Sequence, residues 1–195
     1  MKVELIHTKD KESHRKLQER MQTLCARIGW FDNTKYDDDS GKGKAPLVST
    51  VARTQEFGTM DKGGHIPPRP FMRPAKNKNQ NKWKSTFSQS FKDEKDMEGA
   101  LKKVAEQAVG DIRKSIMSVW NPPLSQATVL HRLRRYKNNK KADKLIQKIK
   151  TNSKIEATPD NQGILKPLVD TGLLISSLSY EVINPSEVSD EYLTE

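Results

Sequence analysis

The stretch DEKDMEGALKKVAEQAVGDIRKSIMSV, residues 93–119, decides how this chain reads. Met97, Leu101, Val104, Ala108, Ile112, Ile116 and Val119 recur at steps of three and four. That spacing stacks them on one face of a helix of about seven turns. Pro122 and Pro123 end it, because proline has no amide to continue the ladder. Ser125 is then placed to cap a following helix through Leu133. Toward the N-terminus, Asp10–Ile28 also reads as a helix: Leu17, Met21, Leu24 and Ile28 form a narrow apolar stripe and Gly29 stops it. Trp30–Tyr36 and Pro46–Thr54 have the aromatic and β-branched content of two strands, joined into a hairpin across the turn Asp37–Lys44. Toward the C-terminus, Ala142, Leu145, Ile146 and Ile149 predict a short helix, and Ser179–Ile183 alternates like a final strand. The expected class is α+β: a small antiparallel sheet packed by a long helix, with an N-terminal helix and extended polar arms.

The 195 residues fit a single domain over 1–195, but only 33% are apolar and 6% aromatic. A compact domain carries about 45–50% apolar residues. The deficit falls in particular places. Residues 76–91 are mostly lysine, asparagine and serine, and 134–163 are basic, so both read as extended or mobile insertions. Residues 184–195 form an acidic tail, and the proline-rich run Gly63–Pro74 reads as a rigid loop. Charge is uneven too. Residues 1–60 carry +2, residues 61–154 carry +15 and residues 155–195 carry −7, within a total of +10. A basic middle and an acidic tail suit nucleic-acid binding, or head-to-tail contact between copies.

No apolar run approaches the roughly 20 residues of a membrane span. Met1–Asp10 shows no signal-peptide stretch, so synthesis and residence in the cytoplasm are expected. Cys25, the single cysteine, cannot form an internal disulfide; it lies beside the stripe of its expected helix and reads as core.

Several motifs suggest chemistry and are better explained otherwise. Asp170-Thr171-Gly172 is the triplet of aspartic proteases, in which two carboxylates share a proton. Here Leu173-Leu174-Ile175 follows it and a helical, basic chain precedes it, so Asp170 or Thr171 reads as a helix N-cap. Gly41-Lys42-Gly43-Lys44 lacks the spacing of a phosphate loop. Asp37, Asp38 and Asp39 lack the alternation of a calcium loop, and the four histidines have no ligand spacing. No metal and no cofactor is expected. Pro67-Pro68-Arg69-Pro70 fits a proline-helix ligand but reads better as a brace that projects Phe71 and Arg73 in a set direction. The cluster Arg132, Arg134, Arg135, Lys137, Lys140 and Lys141 could contact DNA or an acidic partner, since phosphate binding needs little more than dense cations.

Three stretches carry more together than singly: VARTQEFGT (51–59), IPPRPFMRP (66–74) and KPLVDTGLL (166–174). In this order, with a long helix and Pro122-Pro123-Leu124-Ser125 between them, they resemble the neck, head–tail joining and tail-completion or tail-terminator proteins of tailed bacteriophages. Glu56-Phe57-Gly58, Pro67-Pro68-Arg69-Pro70-Phe71 with Arg73, and Asp170-Thr171-Gly172 look like the marks of that family. The resemblance implies a non-enzymatic virion protein that assembles as a ring, commonly a hexamer, in the host cytoplasm. It implies partners as well: copies of itself, the tail-tube protein and the head-side connector or stopper protein, with genomic DNA close by and no membrane. Those motif residues are then expected at turns or interfaces. The rival reading is a basic nucleic-acid-binding protein using the 132–150 arm.

Overall fold

A computed structural model of the chain describes residues 15, 24–31, 33–37, 45–61, 64–94, 96–134, 140–151 and 162–184. The elements run β1 (Cys25–Gly29), α1 (Val48–Phe57), β2 (Thr59–Asp61), β3 (Gly64–Ile66), α2 (Met72–Glu94), α3 (Met97–Ser118), α4 (Gln126–Arg134), α5 (Lys140–Lys150), α6 (Gln162–Leu165), α7 (Leu173–Ser176) and β4 (Ser179–Ile183). The class is α+β, with long helices and small antiparallel sheets.

The chain forms two compact units. The first holds the described residues of Met1–Trp30, Lys76–Asp111 and Ser179–Glu195. Its sheet pairs β1 with β4, Cys25 opposite Ile183 and Gly29 opposite Ser179. Arg27 and Glu181 face each other across the ladder, and the guanidinium donates to Glu181 Oε2 at 2.7 Å. Tyr180 on β4 donates its hydroxyl to Glu106 Oε1 of α3 at 2.9 Å. Trp83 on α2 donates its indole N–H to Asp111 Oδ2 of α3 at 2.9 Å. Met97, Ala100, Ala105, Ala108 and Val109 are buried, so the apolar stripe read from residues 93–119 faces inward in this half of the helix. Asp96 caps α3, accepting the amides of Glu98 and Gly99 on its carboxylate.

The second unit holds the described residues of Phe31–Ala75 and Ile112–Leu178. It buries Val48 and Ala52 of α1, Phe71 and Ala75 around the start of α2, Ile112 and Ile116 of α3, and Leu174 and Leu178 near α7. A second cluster joins Val129 and Leu133 of α4 to Ile149 of α5, with Leu145, Ile146, Ile164 and Leu165 packed against it. Ser125 accepts the Thr128 amide at 3.2 Å and caps α4 as its position implied.

Four local expectations are corrected. Cys25–Gly29 is a strand rather than the end of a helix: pairing with β4 satisfies five backbone positions at once and outweighs a weak 3.6-residue period. The expected hairpin of 30–36 with 46–54 shrinks to one bridge, Lys35 with Leu47, after which α1 begins. Val48, Ala52 and Glu56, at steps of four, turn inward on α1, and that period overrides the β-branched content of the segment. Residues 76–91 are helical, not extended: they form most of α2, whose first amides are capped and whose Ala75 and Ser90 are buried. In 134–163, residues 140–150 form α5, as the Ala142–Ile149 spacing predicts, while 135–139 and 152–161 lie outside the described residues, as does 185–195 of the tail. Residues 10–14 and 16–23 of the expected N-terminal helix also lie outside them.

Candidate functional site

The site grows from Glu56, the last inward residue of α1. Its side chain reaches the start of α2, where it accepts the amides of Phe71 at 2.6 Å, Met72 at 2.9 Å and Arg73 at 3.2 Å. The Arg73 guanidinium closes the arrangement, donating to Glu56 Oε1 at 3.0 Å and to the Glu56 carbonyl at 3.0 Å. The first amides of a helix have no intrahelical partner and carry partial positive charge. α2 has no acid of its own in its first turn, so Glu56 supplies one from another element. Burial pushes the Glu56 carboxyl up, but the Phe71 and Met72 amides and the Arg73 side chain and amide outweigh that and hold it below its usual range.

Gly58 makes the turn after α1 possible. Its φ of 75° and ψ of 176° lie in a region that essentially only glycine occupies. A Cβ there would stand 2.7 Å from the Ile66 carbonyl oxygen, so the close approach of the two segments needs glycine as well. β2 and β3 follow as a hairpin, with Thr59 opposite Ile66 and Met60 opposite His65.

Arg69 is 5% exposed, although it belongs to the proline-rich brace. It donates to the carbonyls of Pro122 at 2.8 Å and Pro123 at 3.0 Å and to Gln55 Oε1 at 3.1 Å. The Asn121–Pro122 peptide between α3 and α4 is cis. Burial lowers the pKa of the guanidinium. Phe71 is fully buried, and its carbonyl accepts the Ser115 hydroxyl at 2.7 Å. The brace therefore aims Phe71 inward and leaves Arg73 half-exposed, its guanidinium 5.0 Å from the centre of the Phe57 ring.

Arg132 is 7% exposed and faces Asp170, Nε to Oδ2 at 3.3 Å. It also donates to the carbonyls of Ile164 at 3.1 Å and Lys166 at 2.8 Å. Asp170 is thereby an ion-pair partner. The residue at the N-cap of α7 is Gly172, and Thr171 Oγ1 accepts the Leu173 amide at 3.3 Å. Leu168, just upstream, is held in the left-handed region at φ 65°.

These parts enclose a groove of about 430 Å³ in the second unit. Val51 and Gln55, then Ile66, Pro67 and Arg69, then Leu168, Asp170, Thr171, Gly172 and Leu174 line it, together with Pro123, Leu124 and Ser125. All three stretches quoted from the sequence thus meet in one place. Tyr36 completes a wall: burial raises its hydroxyl pKa, Asp170 raises it further and Arg132 opposes both. β3 brings His65 and Ile66 to the groove, and its partner strand carries Met60, which is 90% exposed, close in sequence to Phe57 at 62%. Of the basic cluster, Arg132 is committed to internal bonds. Arg135 and Lys137 and the side chains of Arg134, Lys140 and Lys141 lie outside the described residues. Among the described residues there is no cluster of metal-ligating side chains, and no helix is long and apolar enough to cross a membrane.

The burial of Arg69 and Glu56 was not legible in the sequence. No family model, curated protein or solved structure matches the chain.

Proposed function

We propose that the chain is a non-enzymatic structural protein of a tailed-phage head–tail junction, forming a ring that terminates the tail tube and docks it to the head-side connector. One observation carries this reading: the three motif stretches close on a single groove, and beside it Phe57 at the end of α1 and Met60 on the β2–β3 hairpin stand out in solvent. Large exposed apolar side chains on a braced backbone suit contact with a neighbouring subunit. The groove's charged groups, Arg69, Arg132 and Asp170, are engaged in holding the chain, which favours a scaffold over a reaction centre.

The test compares the wild type with Phe57→Asp/Met60→Asp, alone and with tail-tube protein, by mass photometry and negative-stain imaging. The wild type is expected to give discrete rings, and the variant a folded monomer with an unchanged circular-dichroism spectrum. A wild type that stays monomeric at every concentration and in the presence of tail-tube protein would overturn the reading.

A further inference from the structure

We infer that the outward face of α2 is a binding surface for the phosphate backbone of duplex DNA. From Met72 to Lys92 the helix carries six cations and no acid; Asp93 is the first. Two of the six are engaged, Arg73 with Glu56 and Lys82 with Asp111 at 3.7 Å. Lys76, Lys78, Lys84 and Lys92 are exposed, and among the described residues none of them forms an ion pair. A turn of 100° per residue sets Trp83, Phe87 and Ser90 on one side of the helix, and they are buried or half-buried. Lys78 and Lys92 fall on the opposite side, among Asn81, Ser85 and Ser88, and Lys84 stands at its flank, about 100° round from Trp83; all six are exposed.

The three lysines span about 21 Å of helix, several phosphates along one strand at roughly 3.4 Å each. Lysines are point charges rather than planar forks, so this face suits phosphates without selecting a base sequence. Its chemistry also argues against two other anionic partners, single strands and lipid surfaces. Phe87 and Phe91 are half-buried and stacked on each other, so the outward side offers no free ring to stack single strands on, and no exposed apolar side chain among Lys78, Asn81, Ser85, Ser88 and Lys92 could enter a bilayer. Within 132–150, Arg132 itself is turned inward and bonded to carbonyls, while Lys144 and Lys148 on α5 are exposed. The inference rests on the charge placement of α2 alone and stands apart from the ring reading.

Fluorescence anisotropy with a labelled duplex of about 30 base pairs tests it on the full chain. Three phosphate contacts predict an affinity that falls roughly 40-fold between 50 and 200 mM salt. Lys78→Gln/Lys84→Gln/Lys92→Gln is expected to bind far more weakly and with a nearly flat salt response, with its thermal midpoint unchanged. Lys144→Gln/Lys148→Gln on α5 is expected to bind like the wild type. The proposal is overturned by a wild type that does not bind at 50 mM salt, by wild-type affinity in the α2 variant, by an equal loss in the α5 variant, or by tighter binding to phosphatidylserine vesicles than to duplex.

Discussion

At the residue scale, Glu56 shows how a buried charge is kept. It is 3% exposed, where an isolated carboxylate would shed its charge, yet three amides and a guanidinium converge on it. A hydrogen bond to a charged group contributes about 1.5–3 kcal/mol, so Glu56→Gln should lose at least about that much stability at pH 7. The pH dependence has a defined sign. The folded-state pKa is depressed, so the contribution is complete above the unfolded value of about 4.3 and disappears as pH falls through the folded one. Urea midpoints of wild type and Glu56→Gln should therefore differ at pH 7, and the gap should shrink as pH falls from about 4.3 through the depressed folded-state value; a gap that stays constant with pH would contradict the role assigned to the charge. Two glycines make a second comparison. Gly172 has φ 76° with open space around it, whereas Gly58 combines positive φ with a backbone oxygen in the way. Gly172→Ala should cost about 1 kcal/mol and Gly58→Ala about 3 kcal/mol or more, read from the same denaturation curves. Equal losses would mean that the Ile66 carbonyl moves aside freely.

At the element scale, how much could be read in the sequence depended on whether an element's reason lay within itself. α3 is regular because its own residues repeat at three and four, and it was legible to within a few positions. β4 and the Ser125 cap were legible for the same reason. α2 was not. Its Lys/Asn-rich sequence has little apolar drive, and what fixes its start is Glu56, separated from Phe71 by 15 positions in the chain. β1 failed similarly, since its partner lies at the far end of the sequence. α1 was misread because β-branched residues outweighed, in a short window, the spacing of Val48, Ala52 and Glu56. The site followed the same rule. Each motif was visible as a motif, but their meeting around one groove, and the burial of Arg69 and Arg132, depend on contacts between distant stretches. Long charged side chains make this hard to foresee, because one sequence pattern serves a solvated arm and a guanidinium buried against carbonyls.

At the scale of the whole molecule, a chain with 33% apolar residues gains order by joining distant segments rather than by building one large core. Among the described residues the β1–β4 ladder is the longest such join, with Arg27 and Glu181 separated by 154 positions. Closing a loop of that length is entropically costly and is repaid only once neighbouring contacts exist, so the ladder is expected to form late in folding. The first unit takes its sheet from both ends of the chain and its helices from the middle, so it depends on the C-terminal strand in a way the second unit, which lies within Phe31–Leu178, does not. A chain ending at Leu178 should therefore lose hydrogen-exchange protection at Cys25–Gly29, while the buried positions of α4, Val129 and Leu133, keep theirs. Loss of protection in both places would show that the two units fold as one cooperative block. Protection retained at Cys25–Gly29 would show that β1 holds without its partner strand.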